Sequence, residues 1–86
     1  ERSRFFNLLQ EISFLRVIPS QANYFLCEVL HTYTSHQLAT ILLERHTILI
    51  KDCGTKTPFE GKNYIRIAVR DEADNDKLVN VLRNIQ

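Results

Sequence analysis

An arginine in the middle of an alternating strand is the residue of this chain best placed to do chemistry. In the run from Tyr64 to Arg70, Ile65, Ile67 and Val69 share one side, and Tyr64, Arg66, Ala68 and Arg70 share the other, because strand side chains alternate with a period of two. A guanidinium held on such an element, with apolar strand on both sides, suits bidentate binding of a carboxylate or a phosphate. The same pattern also describes a plain solvated strand arginine. Lys51 ends a second short apolar run, Ile48-Leu49-Ile50, and is followed by Asp52.

Other residue types point away from catalysis within the chain. His31, His36 and His46 pair with no cysteine or carboxylate at metal-ligand spacing. Ser20 and Ser35 lack the flanking glycines of a nucleophile elbow. Asp71, Glu72, Asp74 and Asp76 crowd a helix start, where acidic residues complement the dipole far more often than they form an acid–base pair. Cys27 and Cys53 are too few and too far apart for a metal or redox Cys-x-x-Cys site. Cys27 alternates with Phe25 and Val29 and reads as a small core hydrophobe; Cys53 reads as a reduced thiol where a strand gives way to a loop.

The elements that must position these residues follow from periodicity. Phe5, Leu8, Leu9 and Ile12 recur at i, i+3, i+4, i+7 and predict a helix over residues 2–13. A short strand follows over residues 15–18 and stops at Pro19, which has no backbone donor for a ladder. Residues 24–30 are nearly continuously apolar, as in a central strand covered on both faces. Thr34 and Gln37 form a capping box before a helix carrying Leu38, Ile41 and Leu42 to about residue 45. Residues 47–51 are β-branched and apolar and predict a strand. Residues 52–63 form the one long irregular stretch, with Gly54, Pro58 and Gly61 in it, and loops of this kind often carry function. Asp71 caps a last helix whose buried stripe is Leu78, Val79, Leu82 and Ile85, with Arg83 at its negative end. The order predicts an α+β domain: a small mixed sheet of about four strands with helices packed against it.

At 86 residues the chain is one small domain. Its hydrophobic content of 44% and charged content of 24% are those of an ordinary globular domain. A net charge of +1 argues against a nucleic-acid or membrane-surface module. No apolar run approaches the roughly 18 residues of a membrane span. With reduced thiols and no signal peptide the default setting is cytoplasmic. The chain holds no methionine, and Glu1 to Arg4 enter the first helix with no capping residue or turn; the expectation is a domain excised from a longer protein, with its partner domain upstream.

Three segments, in order, resemble the C-terminal small domain of the fold-type I pyridoxal-phosphate-dependent aminotransferases, in the branch of histidinol-phosphate aminotransferase and threonine-phosphate decarboxylase. They are Ile18-Pro19-Ser20-Gln21-Ala22-Asn23-Tyr24-Phe25-Leu26, similar to that branch's Pro-Ser-x-Ala-Asn-Phe entry into a strand; Ile48-Leu49-Ile50-Lys51-Asp52-Cys53; and Ile65-Arg66-Ile67-Ala68-Val69-Arg70 with Asp74-Asn75-Asp76-Lys77-Leu78. The resemblance implies that residues 1–86 are the substrate-binding small domain of a larger enzyme acting on an amino acid or amino-acid phosphate, inactive alone. Arg66 matches the arginine that clamps the substrate carboxylate. Lys51 stands where that branch usually has an arginine for the substrate's phosphate or carboxylate; it keeps the charge without the planar fork. Asn23 matches the Ala-Asn pair at the edge of the active site, with a structural role. Arg70, where the histidinol-phosphate enzymes commonly have glycine, resembles the decarboxylase side.

Pyridoxal phosphate would belong to the longer protein and not to this segment, because none of Lys51, Lys56, Lys62 and Lys77 sits in a family-like aldimine motif. The implied partners are the large cofactor-binding domain and a second subunit of a homodimer, with no nucleic acid and no membrane. A ligand-sensing regulatory α+β module is the competing reading. Such modules usually place glycine between first strand and first helix, and residues 31–35 here have none. An RNA-binding sheet would show stacked aromatics, and Tyr64 is the only aromatic on the Arg66 strand.

Overall fold

The computed structural model describes residues 1–54 and 61–85. Residues 55–60, half of the predicted loop over residues 52–63, therefore lie outside the described residues. Elements run α1 (Arg2–Gln10), β1 (Leu15–Ile18), β2 (Tyr24–Val29), α2 (Ser35–His46), β3 (Lys51–Asp52), β4 (Tyr64–Ala68) and α3 (Glu72–Ile85). The strands form one sheet in the order β1-β2-β4-β3. The α+β architecture agrees with expectation, but every described pairing is antiparallel rather than mixed. The crossover through α2 leaves β3 pointing the same way as β2, and β4 then inserts between them and opposes both.

Alternation decides which side of the sheet is buried. Phe25, Cys27 and Val29 of β2 and Ile65 and Ile67 of β4 face one side, and all are 3% exposed or less. Phe5 and Leu9 of α1, Leu38 and Leu42 of α2, and Leu78, Val79 and Leu82 of α3 pack onto that same side as one core. Phe6 and Phe25 meet at 5.4 Å between ring centroids, and Phe14 meets Tyr33 edge-on at the same separation. The other face of β2 carries no described helix: Tyr24 is exposed, Leu26 and Glu28 half-buried. The expectation that β2 is covered on both faces fails here, because all three helices sit on one side.

The helix starts follow the capping signals. Thr34 Oγ1 accepts from Gln37 N–H at 3.0 Å while Gln37 Oε1 accepts from Thr34 N–H at 2.9 Å. Asp71 Oδ1 accepts from Asp74 N–H at 2.8 Å. α1 has no side-chain cap and stops at Gln10, earlier than its pattern predicts, so Ile12 is buried from the turn that follows rather than from the helix. β3 is also shorter than the apolar run 47–51. Thr47 is instead the left-handed C-cap of α2, at φ 57, and its N–H and that of Ile48 close onto Leu43 O and Leu42 O. Gly54 lies so close to the chain that an added Cβ would stand 2.8 Å from Lys62 O.

A buried asparagine ties the sheet to two helices. Asn75 is 2% exposed. Its Oδ1 accepts from Arg70 N–H at 3.0 Å, and its Nδ2 donates to Arg70 O at 3.0 Å and to Glu1 Oε2 at 2.8 Å. Hydrogen bonds from Arg4 and then from Asn75 hold the Glu1 carboxyl down from 4.5 to about 2, and Arg4 reaches on to Asp76 at 2.8 Å. Removing Asn75 takes these partners from the part-buried Arg70 backbone groups and from Glu1, and each hydrogen bond lost is worth about 0.5–1.5 kcal/mol. Asn75→Ala should therefore lower stability by about 2 kcal/mol or more, read as a fall in the urea midpoint. An unchanged midpoint would rule out this role.

Cys27 gives a pH test of the core. Burial pushes its thiol from 9.0 up to about 12. The folded state therefore keeps the thiol neutral while the unfolded chain ionises it. Its contribution is complete below pH 9.0 and is lost as pH rises through 12. Stability followed by denaturant unfolding should fall more steeply between those values in the wild type than in Cys27→Ala, although that variant is less stable at neutral pH. Parallel profiles would place the thiol in water.

Candidate functional site

The helix-free face of the sheet is built in rows by the strand register. Arg16, Glu28 and Tyr64 are successive cross-strand partners in one row, and Ile18, Leu26, Arg66 and Lys51 are partners in the next. Tyr24 faces Ala68 in a third. The first row is closed on itself. Arg16 Nε donates to Glu28 Oε1 at 2.8 Å and its NH2 group to Tyr64 Oη at 3.2 Å. The Glu28 hydrogen bond is the main cause that raises Arg16 above its ordinary value.

The second row is different. Arg66 is exposed, and it has no acidic partner among the described residues. Its guanidinium carbon stands 4.4 Å from the centroid of the Tyr24 ring, a cation–π contact across the strand pair. Lys51 lies directly opposite in the register, so two cationic side chains stand side by side on one face. Asn23 precedes Tyr24, and its backbone carbonyl accepts from Val69 N–H at 2.8 Å, extending the β2–β4 pairing by one step. Asn23, Tyr24, Leu49, Ile50, Lys51, Asp52, Arg66 and Ala68 together line an open concavity of about 730 Å³. The residues singled out from sequence, Arg66, Lys51 and Asn23, thus come together on one surface. Arg70 does not join them: the strand ends at Ala68, and Arg70 Nε donates to Asp74 Oδ2 at 3.0 Å.

Such a surface can bind and orient an anion. Among the described residues, Lys51, Lys62 and Lys77 are all exposed. Among the described residues no three His, Cys, Asp or Glu side chains gather as a metal site. No described helix is long and apolar enough to cross a membrane. Cys27 and Cys53 are both buried and unpaired.

Comparison with known proteins agrees with this architecture. The model of the family "Aminotransferase class I and II" matches residues 1–82. The chain belongs to that family. It is 33% identical over 87 residues to the threonine-phosphate decarboxylase of Salmonella typhimurium, covering 99% of this chain and 22% of that protein. It is 31% identical over 80 residues to the histidinol-phosphate aminotransferase of Methanococcus aeolicus, covering 93% of this chain and 21% of that protein. Among solved structures it resembles a decarboxylase from Sulfurospirillum multivorans, with a TM-score of 0.88, 28% identity, and coverage of 98% of this chain and 23% of that one. The chain thus spans between a fifth and a quarter of the length of these three proteins.

Sequence reasoning missed Tyr24, Leu49 and Asn75. Tyr24 reads as one more apolar strand residue, and only the pairing of β2 with β4 places its ring beside Arg66. Leu49 looks like strand core but is 80% exposed at the rim of the concavity. Asn75 sits between two acidic residues, and nothing in that run marks it as the buried member.

Proposed function

We propose that this chain is the C-terminal small domain of a longer pyridoxal-phosphate-dependent enzyme, and that its open sheet face binds the anionic groups of an amino-acid or amino-acid-phosphate substrate. The observation that carries this reading is the position of Arg66: mid-strand, exposed, with no described acidic partner, and directly opposite Lys51. Arg66 is the carboxylate clamp, Lys51 the second cation toward a distal phosphate or carboxylate, and Asn23 the residue that holds the strand edge under them. The large domain supplies the cofactor, the aldimine lysine and the phosphate cup. When bound there, pyridoxal phosphate provides the electron sink; this domain provides binding and orientation. The protein acts in the cytoplasm as a homodimer.

Histidinol-phosphate aminotransferase-like transamination is the activity we propose. Decarboxylation of a phospho-amino acid is the second reading, favoured by arginine at position 70, which resembles the decarboxylase side. Assay of the full-length protein with L-histidinol phosphate and 2-oxoglutarate, and separately with O-phospho-L-threonine and O-phospho-L-serine for carbon dioxide release, separates the two. Arg66→Lys keeps the charge and loses the bidentate fork. One charge-assisted hydrogen bond is worth roughly 1.5–3 kcal/mol, so the specificity constant for a carboxylate substrate should fall roughly 10- to 100-fold. The cofactor absorbance should not change. A folded Arg66→Ala enzyme with full catalytic efficiency would reduce Arg66 to an ordinary strand arginine.

A further inference from the structure

Among the described residues, five arginines meet an oxygen acceptor. Arg2 donates to Gln21 O at 2.6 Å, Arg4 is paired with Glu1 and Asp76, Arg16 with Glu28, Arg70 with Asp74, and Arg83 lies 3.9 Å from Glu11. Arg66 instead meets the face of a ring. We propose that Tyr24 is the positioning residue of the anion site: its ring, in place of a carboxylate, holds the Arg66 guanidinium over the sheet so that its charge stays available to the ligand. This rests on the reading of Arg66 as the anion clamp.

The physical argument has three parts. A long arginine side chain on an open face has rotamer freedom to lose on binding, so something must restrict it if it is to bind well. A carboxylate would restrict it but would neutralise its charge and occupy the donors that the ligand needs. An aromatic face attracts the cation without taking up that charge. The register makes the contact possible. Tyr24 lies opposite Ala68, and Arg66 is the diagonal neighbour two residues before Ala68. Diagonal pairs are within reach of aromatic and long side chains, and alanine at position 68 leaves the crossing open. Both Tyr24 and Arg66 line the same concavity.

The test uses the full-length protein and O-phospho-L-threonine as the probe, with dissociation constants from calorimetric titration. Tyr24→Phe keeps the ring and should bind within about twofold of wild type. Tyr24→Leu, and Tyr24→Thr as a strand-favouring second replacement, should bind about two- to fivefold more weakly, the range set by an exposed cation–π contact. In an Arg66→Ala background, Tyr24→Leu should add nothing, because it acts through Arg66. Thermal midpoints and the cofactor absorbance check that each variant is intact. Equal losses in Tyr24→Phe and Tyr24→Leu, or a Tyr24→Leu effect that persists without Arg66, overturn the proposal and leave the anion clamp standing. So does wild-type affinity in Tyr24→Leu beside weakened Arg66→Ala. Failure of the wild-type protein to bind either O-phospho-L-threonine or L-histidinol phosphate, or unweakened binding by Arg66→Ala, overturns the functional reading and this inference together.

Discussion

The pairing of β2 with β4 is the constraint on which the remaining structure depends. Phe25 opposite Ile67 and Cys27 opposite Ile65 put four apolar side chains of neighbouring strands on the helix side, and the same register sets Leu26 opposite Arg66 on the other. A slip of one residue would turn Arg66 into the core and expose Ile65 and Ile67. Burying an unpaired guanidinium while losing two buried isoleucines is prohibitive, since each fully buried aliphatic side chain is worth about 1.5–3 kcal/mol. Core and cationic surface are therefore two sides of one choice. What makes the fold stable is what places the charge.

That choice leaves the helix-free face with two rows of different character. In the Arg16, Glu28 and Tyr64 row a cation finds its acceptors within the sheet. In the Arg66 and Lys51 row two cations are neighbours across the β3–β4 pair. The exposed Leu49 and the Tyr24 ring border the second row, so the cationic surface has apolar walls. Electrostatic attraction acts more strongly where such walls limit solvent. A surface of this kind is better matched to an anionic ligand enclosed by a second domain than to one bound from open water.

Much of this was legible from residue order, and most of what was not depends on tertiary pairing. Local signals held well: the Thr34 and Gln37 capping box, the Asp71 cap, the bounds of β1 and the alternation through Ile65 and Ile67 all appear as read. Each depends on residues a few positions apart. Three features escaped, two of them because they depend on distant partners. The antiparallel character of the sheet needs the position of β4 between β2 and β3. The shortness of β3 needs the left-handed cap at Thr47, a conformation more usual for glycine or asparagine. The uncovered face of β2 needs the knowledge that all three helices pack on one side. At the site, the residue types of Arg66 and Lys51 were informative, but the ring that holds Arg66 lies in a segment forty-odd positions away.

Among the described residues, Arg66 combines a fixed backbone with a head group that meets no carboxylate. Beyond the C-terminal end of β4, Val69 N–H donates to Asn23 O at 2.8 Å, and Asn75 grips both backbone groups of Arg70. At the N-terminal end, Asn63 O accepts from Val29 N–H at 2.8 Å, and its side chain accepts from Ser35 N–H at the start of α2. Cys53 N–H closes the outer side onto Tyr64 O at 2.8 Å. The strand is thus tied to β2, to the segment after β3, and through flanking residues to α2 and α3. Asn75 carries the link on to Glu1 at the start of α1. The Cα of Arg66 cannot move without disturbing several of these bonds, while its guanidinium is restrained only by the Tyr24 ring among the described residues. Preorganised backbone with an uncommitted charge is the condition under which ligand binding loses least to reordering. The hydrogen bonds that stabilise the domain therefore also serve the reading of Arg66 as an anion clamp.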